Sequence, residues 1–463
     1  MGTQTAPSTE QPELKRVMGP GLLLMFIVGD ILGTGVYALT GKVAGEVGGA
    51  VWLPFLCAFV VALLTAFSYL ELVGKYPRAA GAALYAHKAF GVHFLTFLIC
   101  FTVMCSGLTS ASSASKAFAG NLVEALGLDI SEDAIGLTVI AVGFMTLIAV
   151  VNARGLAESV KTNVVLTAVE LSGLLIIIAI GAWALGAGDG DPSRLTQITV
   201  PDGENPFGAV TAATALAFFA MVGFEDSVNM AEETKDPGRN FPRMMLLGLG
   251  FTGVIYLLVA VSATALVPVD ELSEGDTPLL KVVEAGAPGF PIGLFAVITM
   301  FAVANSALIN MLMASRLLYG MANERVLPRV LGRVLPERRT PWVAIAFTTL
   351  LAFALIWFAD LEALGGTTSL LLLCVFTVVN ISVLVLRRDP VEHDHFRTPT
   401  ALAVAGALLC AFLASPLSGR DTSDYRIAGV LLVVGIALWV VTWVLNRALD
   451  GRLTRVSDID SLQ

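Results

Sequence analysis

Apolar runs of membrane-spanning length follow one another along almost the whole chain, at residues 18–39, 49–73, 93–124, 134–152, 163–186, 208–230, 243–267, 290–320, 342–359, 363–386, 400–416 and 426–446. Crossing the hydrocarbon core of a bilayer takes about 20 apolar residues in a helix. Lipid offers no partner to a bare backbone N–H or C=O, so runs of this length must close their hydrogen bonds internally, as helices. The expected fold is an all-α membrane protein with twelve transmembrane helices. Composition agrees, with 56% of the 463 residues hydrophobic and 14% charged, where soluble domains carry roughly 25% charged residues. The mean hydropathy is +0.80.

Charge placement orients the chain. All but six of the 28 Lys and Arg residues lie before segment 1 or in the loops after even-numbered segments, the six being Lys42, Lys116, Arg194, Lys281, Arg420 and Arg426. The positive-inside rule then puts both termini in the cytoplasm of a multi-pass protein of the cell membrane. Residues 1–17 read as a disordered tail without a cleavable leader, and 447–463 as a second cytoplasmic end. Many of the carboxylates behind the net charge of −9 fall in one set of loops, so the sum says little of partners, and nucleic acid is not suggested. Five cysteines without CxxC spacing and four histidines without a second ligand nearby imply no disulfide, metal or cofactor. The partners expected are the lipid bilayer and a small solute, and a homo-oligomer is compatible with such a chain.

Two of the runs are interrupted. Segment 1 contains Val28-Gly29-Asp30-Ile31-Leu32-Gly33-Thr34-Gly35, and segment 6 contains Phe218-Phe219-Ala220-Met221-Val222-Gly223-Phe224-Glu225-Asp226. A helix broken in mid-membrane frees backbone groups that cost several kcal/mol each unless protein, water or a ligand takes them. The half-helix after Gly33 would aim free N–H groups and a positive dipole end at a carboxylate. The half before it ends in carbonyls suited to an ammonium group or cation. Breaks at equivalent places in two five-helix halves (18–186 and 208–386, with 400–446 added) point to a five-plus-five inverted repeat with two extra C-terminal helices, the substrate lying between the breaks. No strand precedes the glycines, so a nucleotide-binding loop is the wrong reading.

Further motifs carry a resemblance. Gly33-Thr34-Gly35, Tyr69-x-Glu71 with Tyr76-Pro77-Arg78-Ala79-Ala80-Gly81, Phe218 to Glu225, Glu232-Glu233-Thr234-Lys235-Asp236-Pro237-x-Arg239-Asn240-x-Pro242, and Ser315-Arg316-x-Leu318-Tyr319-x-Met321-Ala322 with Leu327-Pro328 resemble the amino acid–polyamine–organocation transporters. Asn152-x-x-Gly155-x-x-Glu158-Ser159, Asn163, Thr167 and Val379-Asn380-x-Ser382-Val383-Leu384-x-Leu386-Arg387 are most similar to bacterial relatives of the cationic amino acid transporters. The resemblance implies a permease, not an enzyme, working by alternating access, with protons as the coupling ion or with exchange. It implies that Gly33, Thr34 and Gly35 hold a substrate carboxylate. It implies also that the carbonyls of Ile31, Phe219 and Val222, beside Gly223, accept the amine. The competing account of these glycines is close helix packing.

Four acids depart from a plain apolar bundle. Asp30 replaces a small or neutral residue, and attracts a cationic substrate, carries a proton, or makes a structural hydrogen bond. Glu225 matches the acid used for proton-linked gating, or caps broken backbone, while its neighbour Asp226 reads as a cap or loop contact on another face. Glu170 stands where proton-coupled relatives carry a lysine. The resemblance implies that Asn305 and Ser306, which match the family's polar pair, face it, so that the carboxylate binds a proton or a cation, or pairs with Lys116 or Lys161. Phe219 is the foremost gate candidate among Phe218, Phe219, Phe224 and Trp183, with packing as the alternative. The run Ser106 to Ser115 reads as a packing face, with Lys116 snorkelling. Amino acids are the expected substrates, and cationic amino acids or polyamines the alternative.

Overall fold

The computed structural model describes residues 18–77, 81–128, 135–154, 160–200, 205–323, 326–335 and 340–450. Arg78, Gly155, Glu158 and Ser159 of the quoted motifs lie outside them, as do residues 1–17 and 451–463 and the side chains of Lys161, Asn163, Glu232 and Glu233. Among the described residues all regular structure is helical, apart from two isolated β-bridges.

Segment 1 forms two helices, α1 (Pro20–Ile31) and α2 (Thr34–Val47). Then come α3 (Trp52–Lys75), a short α4 (Gly81–Phe90), α5 (His93–Ala125), α6 (Ile135–Ala153) and α7 (Val160–Ala187). Segment 6 begins as α8 (Pro206–Ala217), tightens into a 3₁₀ turn (Phe218–Met221), breaks, and resumes as a 3₁₀ helix (Asp226–Glu233). The chain continues through α9 (Pro237–Leu266), two short helices α10 (Val269–Ser273) and α11 (Pro278–Gly286), and α12 (Ile292–Asn323). It closes with α13 (Trp342–Phe358), α14 (Leu361–Leu386), α15 (Thr400–Ala414) and α16 (Thr422–Asp450).

Local chemistry sets many of these starts. Pro20, Pro206, Pro237 and Pro278 stand at first helical positions, where a missing N–H costs nothing. Asn205 and Asp360 accept the Gly208 and Ala363 amides at 2.7 Å to cap α8 and α14. Among the described residues ten helices are long and apolar enough to cross a membrane, counting α1 with α2 and residues Pro206–Asn229 as one each. The apolar helices α13 and α15 are shorter, 17 and 15 residues. Pro416 ends α15 early, because the residue before a proline is pushed out of the helical region.

The long α5 is the axis against which α12 and α14 pack most extensively, and α9 packs on α1, α3 and α7. The serine-rich face of α5 is a packing surface. Ser112 and Ser115 donate back to Leu108 and Ala111 carbonyls of their own helix, while Thr109 meets Thr368 of α14 at 2.6 Å.

Candidate functional site

The break in segment 1 is an inverse γ-turn centred on Leu32 (φ −69°, ψ 73°), closed by the Gly33 amide donating to the Ile31 carbonyl at 2.8 Å. Tyr256 of α9 donates to the same carbonyl at 2.6 Å. The break in segment 6 turns at Gly223, whose φ of +126° suits only glycine. A Cβ there would lie 2.5 Å from the Asp30 carbonyl oxygen, so the two breaks touch backbone to backbone. Glu225 folds back to accept the Gly223 amide at 2.8 Å. That is the capping role weighed for it.

Neighbouring elements close in on the first break. A Cβ on Gly29 would strike Thr167 of α7, one on Gly35 would fall 2.4 Å from Ala220 Cα, and one on Gly33 would sit 3.2 Å from Ser306 Oγ of α12. Gly29 and Gly35 therefore permit close packing, whatever else they do. Tyr37 of α2 donates to the Glu170 carbonyl at 2.5 Å, binding the second half of the broken helix to α7.

Polar atoms without partners gather here. Asp30 Oδ2, Thr34 Oγ1, Thr167 Oγ1, both carboxyl oxygens of Glu170 and Asn305 Nδ2 are buried and make no hydrogen bond. Asn305 faces Glu170, Glu170 lies within electrostatic reach of Asp30, and Asp30 within reach of Asp226 and Glu225. Neither Lys116 nor any other described cation pairs with Glu170, since Lys116 faces Asp276 and Asp360 instead. A small cavity of ≈ 20 Å³, room for about one water, is lined by Glu225, Asp226, Ser106, Asn310 and Thr368. Asp226 lines the same small cavity as Glu225 and is not confined to a cap or loop contact on another face.

Aromatic packing is concentrated beside the second break. Phe218, Phe224 and Tyr69 surround Phe376 at centroid distances of 5.9, 5.4 and 5.7 Å. Phe219 is buried outside that cluster. Trp183 is 77% exposed on α7.

A larger cavity of ≈ 330 Å³ lies between the C-terminal end of α2 and the second half of α8, lined by Glu46, Leu216, Asp360, Glu362, Arg420 and Asp424. Size alone would put a site there. Its buried charges, however, are satisfied: Arg420 bonds Asp424 at 2.8 Å and the Gly366 carbonyl at 2.6 Å. Of the buried side-chain atoms without a partner, those of Asp30, Thr34, Thr167, Glu170 and Asn305 gather around the breaks, whereas those of Tyr85, His93, Ser113, Asn121 and Thr252 are scattered over other parts of the bundle. Near the same end, Lys42 approaches Asp276 at 3.7 Å. Burial pushes the Asp276 carboxyl up, and Lys42 and Lys116 pull it down.

Several of these residues escape sequence reasoning. Tyr37, Tyr256 and Arg420 sit in or beside apolar runs, where the available signal is that a buried hydroxyl or guanidinium needs a partner.

An all-helical bundle with two broken helices meeting at buried, unpartnered polar groups is the architecture of a membrane transporter. The chain belongs to the amino acid permease family, whose description matches residues 22–445. It is 24% identical over 425 residues to a branched-chain amino acid permease of Bacillus subtilis, covering 88% of this chain and 89% of that one. It is 29% identical over 396 residues to the vacuolar cationic amino acid transporter 2 of Arabidopsis thaliana, covering 82% and 61% respectively. It is 25% identical over 429 residues to the methylthioribose transporter of Bacillus subtilis, covering 89% and 90%. The chain is a transporter of amino acid permease type, not an enzyme.

Proposed function

We propose that this chain is a proton-coupled amino acid permease of the cell membrane, working by alternating access on twelve spans arranged as a five-plus-five inverted repeat with two added helices. Both termini lie in the cytoplasm. The observation that carries the reading is the set of unpartnered buried atoms around the two breaks, on Asp30, Thr34, Thr167, Glu170 and Asn305. Buried polar groups in a folded interior are otherwise satisfied, so donors and acceptors held open point to a ligand. Thr34 and the N-terminal amides of α2 suit a carboxylate. The carbonyls of Ile31, Phe219 and Val222 suit an ammonium group. Glu170, faced by Asn305 and by no cation among the described residues, suits a transported proton, since a bare carboxylate in the membrane costs about 2.5 to 3.5 kcal/mol on the lenient scale.

A second reading has its own observation. Asp30 lies within electrostatic reach of three further acids, Glu170, Glu225 and Asp226, and no Lys or Arg among the described residues pairs with them. That surplus favours a cationic amino acid or polyamine, taken up alone or by exchange.

Uptake into proteoliposomes under an inward proton gradient tests both, across neutral, acidic and cationic amino acids, polyamines and methylthioribose. Accumulation of one amino acid class that collapses with the gradient is the expected result. Uptake only with preloaded internal substrate makes the protein an exchanger, and uptake of methylthioribose alone overturns the amino acid reading.

A further inference from the structure

The Ile31 carbonyl, the last of α1, is already saturated. A backbone carbonyl oxygen has two lone pairs, and here one receives the Gly33 amide at 2.8 Å and the other the Tyr256 hydroxyl at 2.6 Å. The first bond is fixed by the γ-turn at Leu32 and cannot be given up while the break keeps its shape. The second comes from a side chain of another helix, and a hydroxyl can rotate away. Tyr256 is fully buried on α9 with its ring packed edge-on against Phe55, centroids 6.2 Å apart, so the phenol is held in place from behind.

We propose that the Tyr256 hydroxyl is a placeholder for the ammonium group of the substrate, occupying the Ile31 lone pair until the substrate's own N–H donors displace it. The inference rests on the reading of Ile31 as an amine acceptor. It makes Tyr256 a positioning residue, because it acts on substrate through the carbonyl it guards. It requires only that the O–H turn away from the carbonyl when the amine arrives, the ring being held by Phe55. No covalent step is involved, and the phenol keeps its proton throughout.

Tyr256→Phe removes only the competing donor. Binding of L-leucine and L-lysine to the purified full-length protein is measured by calorimetry beside 4-methylpentanoate and 6-aminohexanoate, the same molecules without the α-amine. Removing one competing hydrogen bond should tighten whichever amino acid binds by about two- to tenfold and leave its des-amino analogue unchanged. Unchanged or weaker binding of the amino acid, with thermal stability lowered, would make Tyr256 a simple cap or a direct ligand and overturn the proposal. A second measurement needs no substitution in the packing: with 3-fluorotyrosine placed at position 256, saturating amino acid should shift the fluorine resonance, and an unmoved signal overturns the proposal. Gly33→Leu separates the two levels. If it leaves binding intact, the site at the first break is wrong and the placeholder falls with it; if it abolishes binding while Tyr256→Phe changes nothing, only the placeholder is wrong.

Discussion

Glu170 shows most plainly what single residues contribute. Both of its carboxyl oxygens are buried, faced by the Asn305 side chain and by no cation among the described residues. Replacing the acid by its amide keeps shape and hydrogen-bonding capacity while removing the titratable proton. Glu170→Gln should therefore fold and bind substrate, yet lose most of the stimulation of uptake by an inward proton gradient. Uptake measured across a pH series checks this, and an unaltered pH dependence would exclude Glu170 as the coupling group. At the substrate end, Thr34→Val deletes an unpartnered hydroxyl within a buried helix start. It should weaken amino acid binding about three- to tenfold with the fold intact, read by calorimetry. The acids and glycines of the breaks are legible in the sequence because charge and glycine are rare inside apolar runs. The hydroxyls of Tyr37 and Tyr256 are not. A tyrosine inside an apolar helix has the same pattern whether its oxygen meets water, a side chain or a carbonyl on another helix, and only the fold says which.

Elements are read from the sequence with uneven success, for a physical reason. Where apolar length alone decides, the helices fall close to the expected runs, as for α3, α5 and α12. Where local geometry decides, the outcome is hidden. The second half of segment 6 is a 3₁₀ helix, not an α-helix, and begins where Glu225 turns back on Gly223. The short α4, α10 and α11 carry too few residues for a periodic signal. Helix ends are also joined by groups far apart in sequence. Arg420, its side chain 2% exposed, reaches the Gly366 carbonyl and Ser369 of α14, the Ala215 carbonyl of α8, the Leu413 carbonyl of α15 and Asp424 of α16. Four helices thus share one guanidinium. Removing one member of a buried ion pair strands the other, at about 3 to 5 kcal/mol. Arg420→Ala should lower stability by that order, while a paired Arg420→Met and Asp424→Leu exchange should recover much of the loss. Thermal unfolding in detergent checks it, and an Arg420→Ala chain as stable as the wild type would remove the staple from the account.

At the scale of the whole molecule, two ties decide which parts can move together. The chain entering α1 pairs with the chain leaving segment 6, through a parallel bridge between Met18 and Thr234 and a Lys235 amide donating to the Met18 carbonyl at 2.9 Å. The far end of α2 is bound to the loop before segment 6 by the bridge between Gly48 and Ile198 and by the Trp52 indole on the Leu195 carbonyl at 2.9 Å. A separate clamp joins α3 to α14 and to the residues after it, where Glu71 accepts two bonds from Arg387, at 3.1 and 3.0 Å, and the Thr398 amide at 2.8 Å. Alternating access requires that some contacts between these bodies open while others persist. Backbone pairing at both ends of the broken segments argues that α1 and the 3₁₀ half of segment 6 travel as one piece. The contact between Lys42 and Asp276 is instead a partly buried side-chain pair at 3.7 Å with no backbone pairing beside it, and under alternating access it is the contact expected to open. Cysteines at Met18 and Thr234 should therefore form a disulfide that leaves uptake nearly unchanged, bridge partners being close enough for one. A short bismaleimide linking cysteines at Lys42 and Asp276 should abolish uptake. The wild-type chain serves as the control for its own five cysteines. If the first crosslink stops transport and the second does not, the two halves of the broken pair part from one another during the cycle, and the closing contact lies on the other side of the bundle.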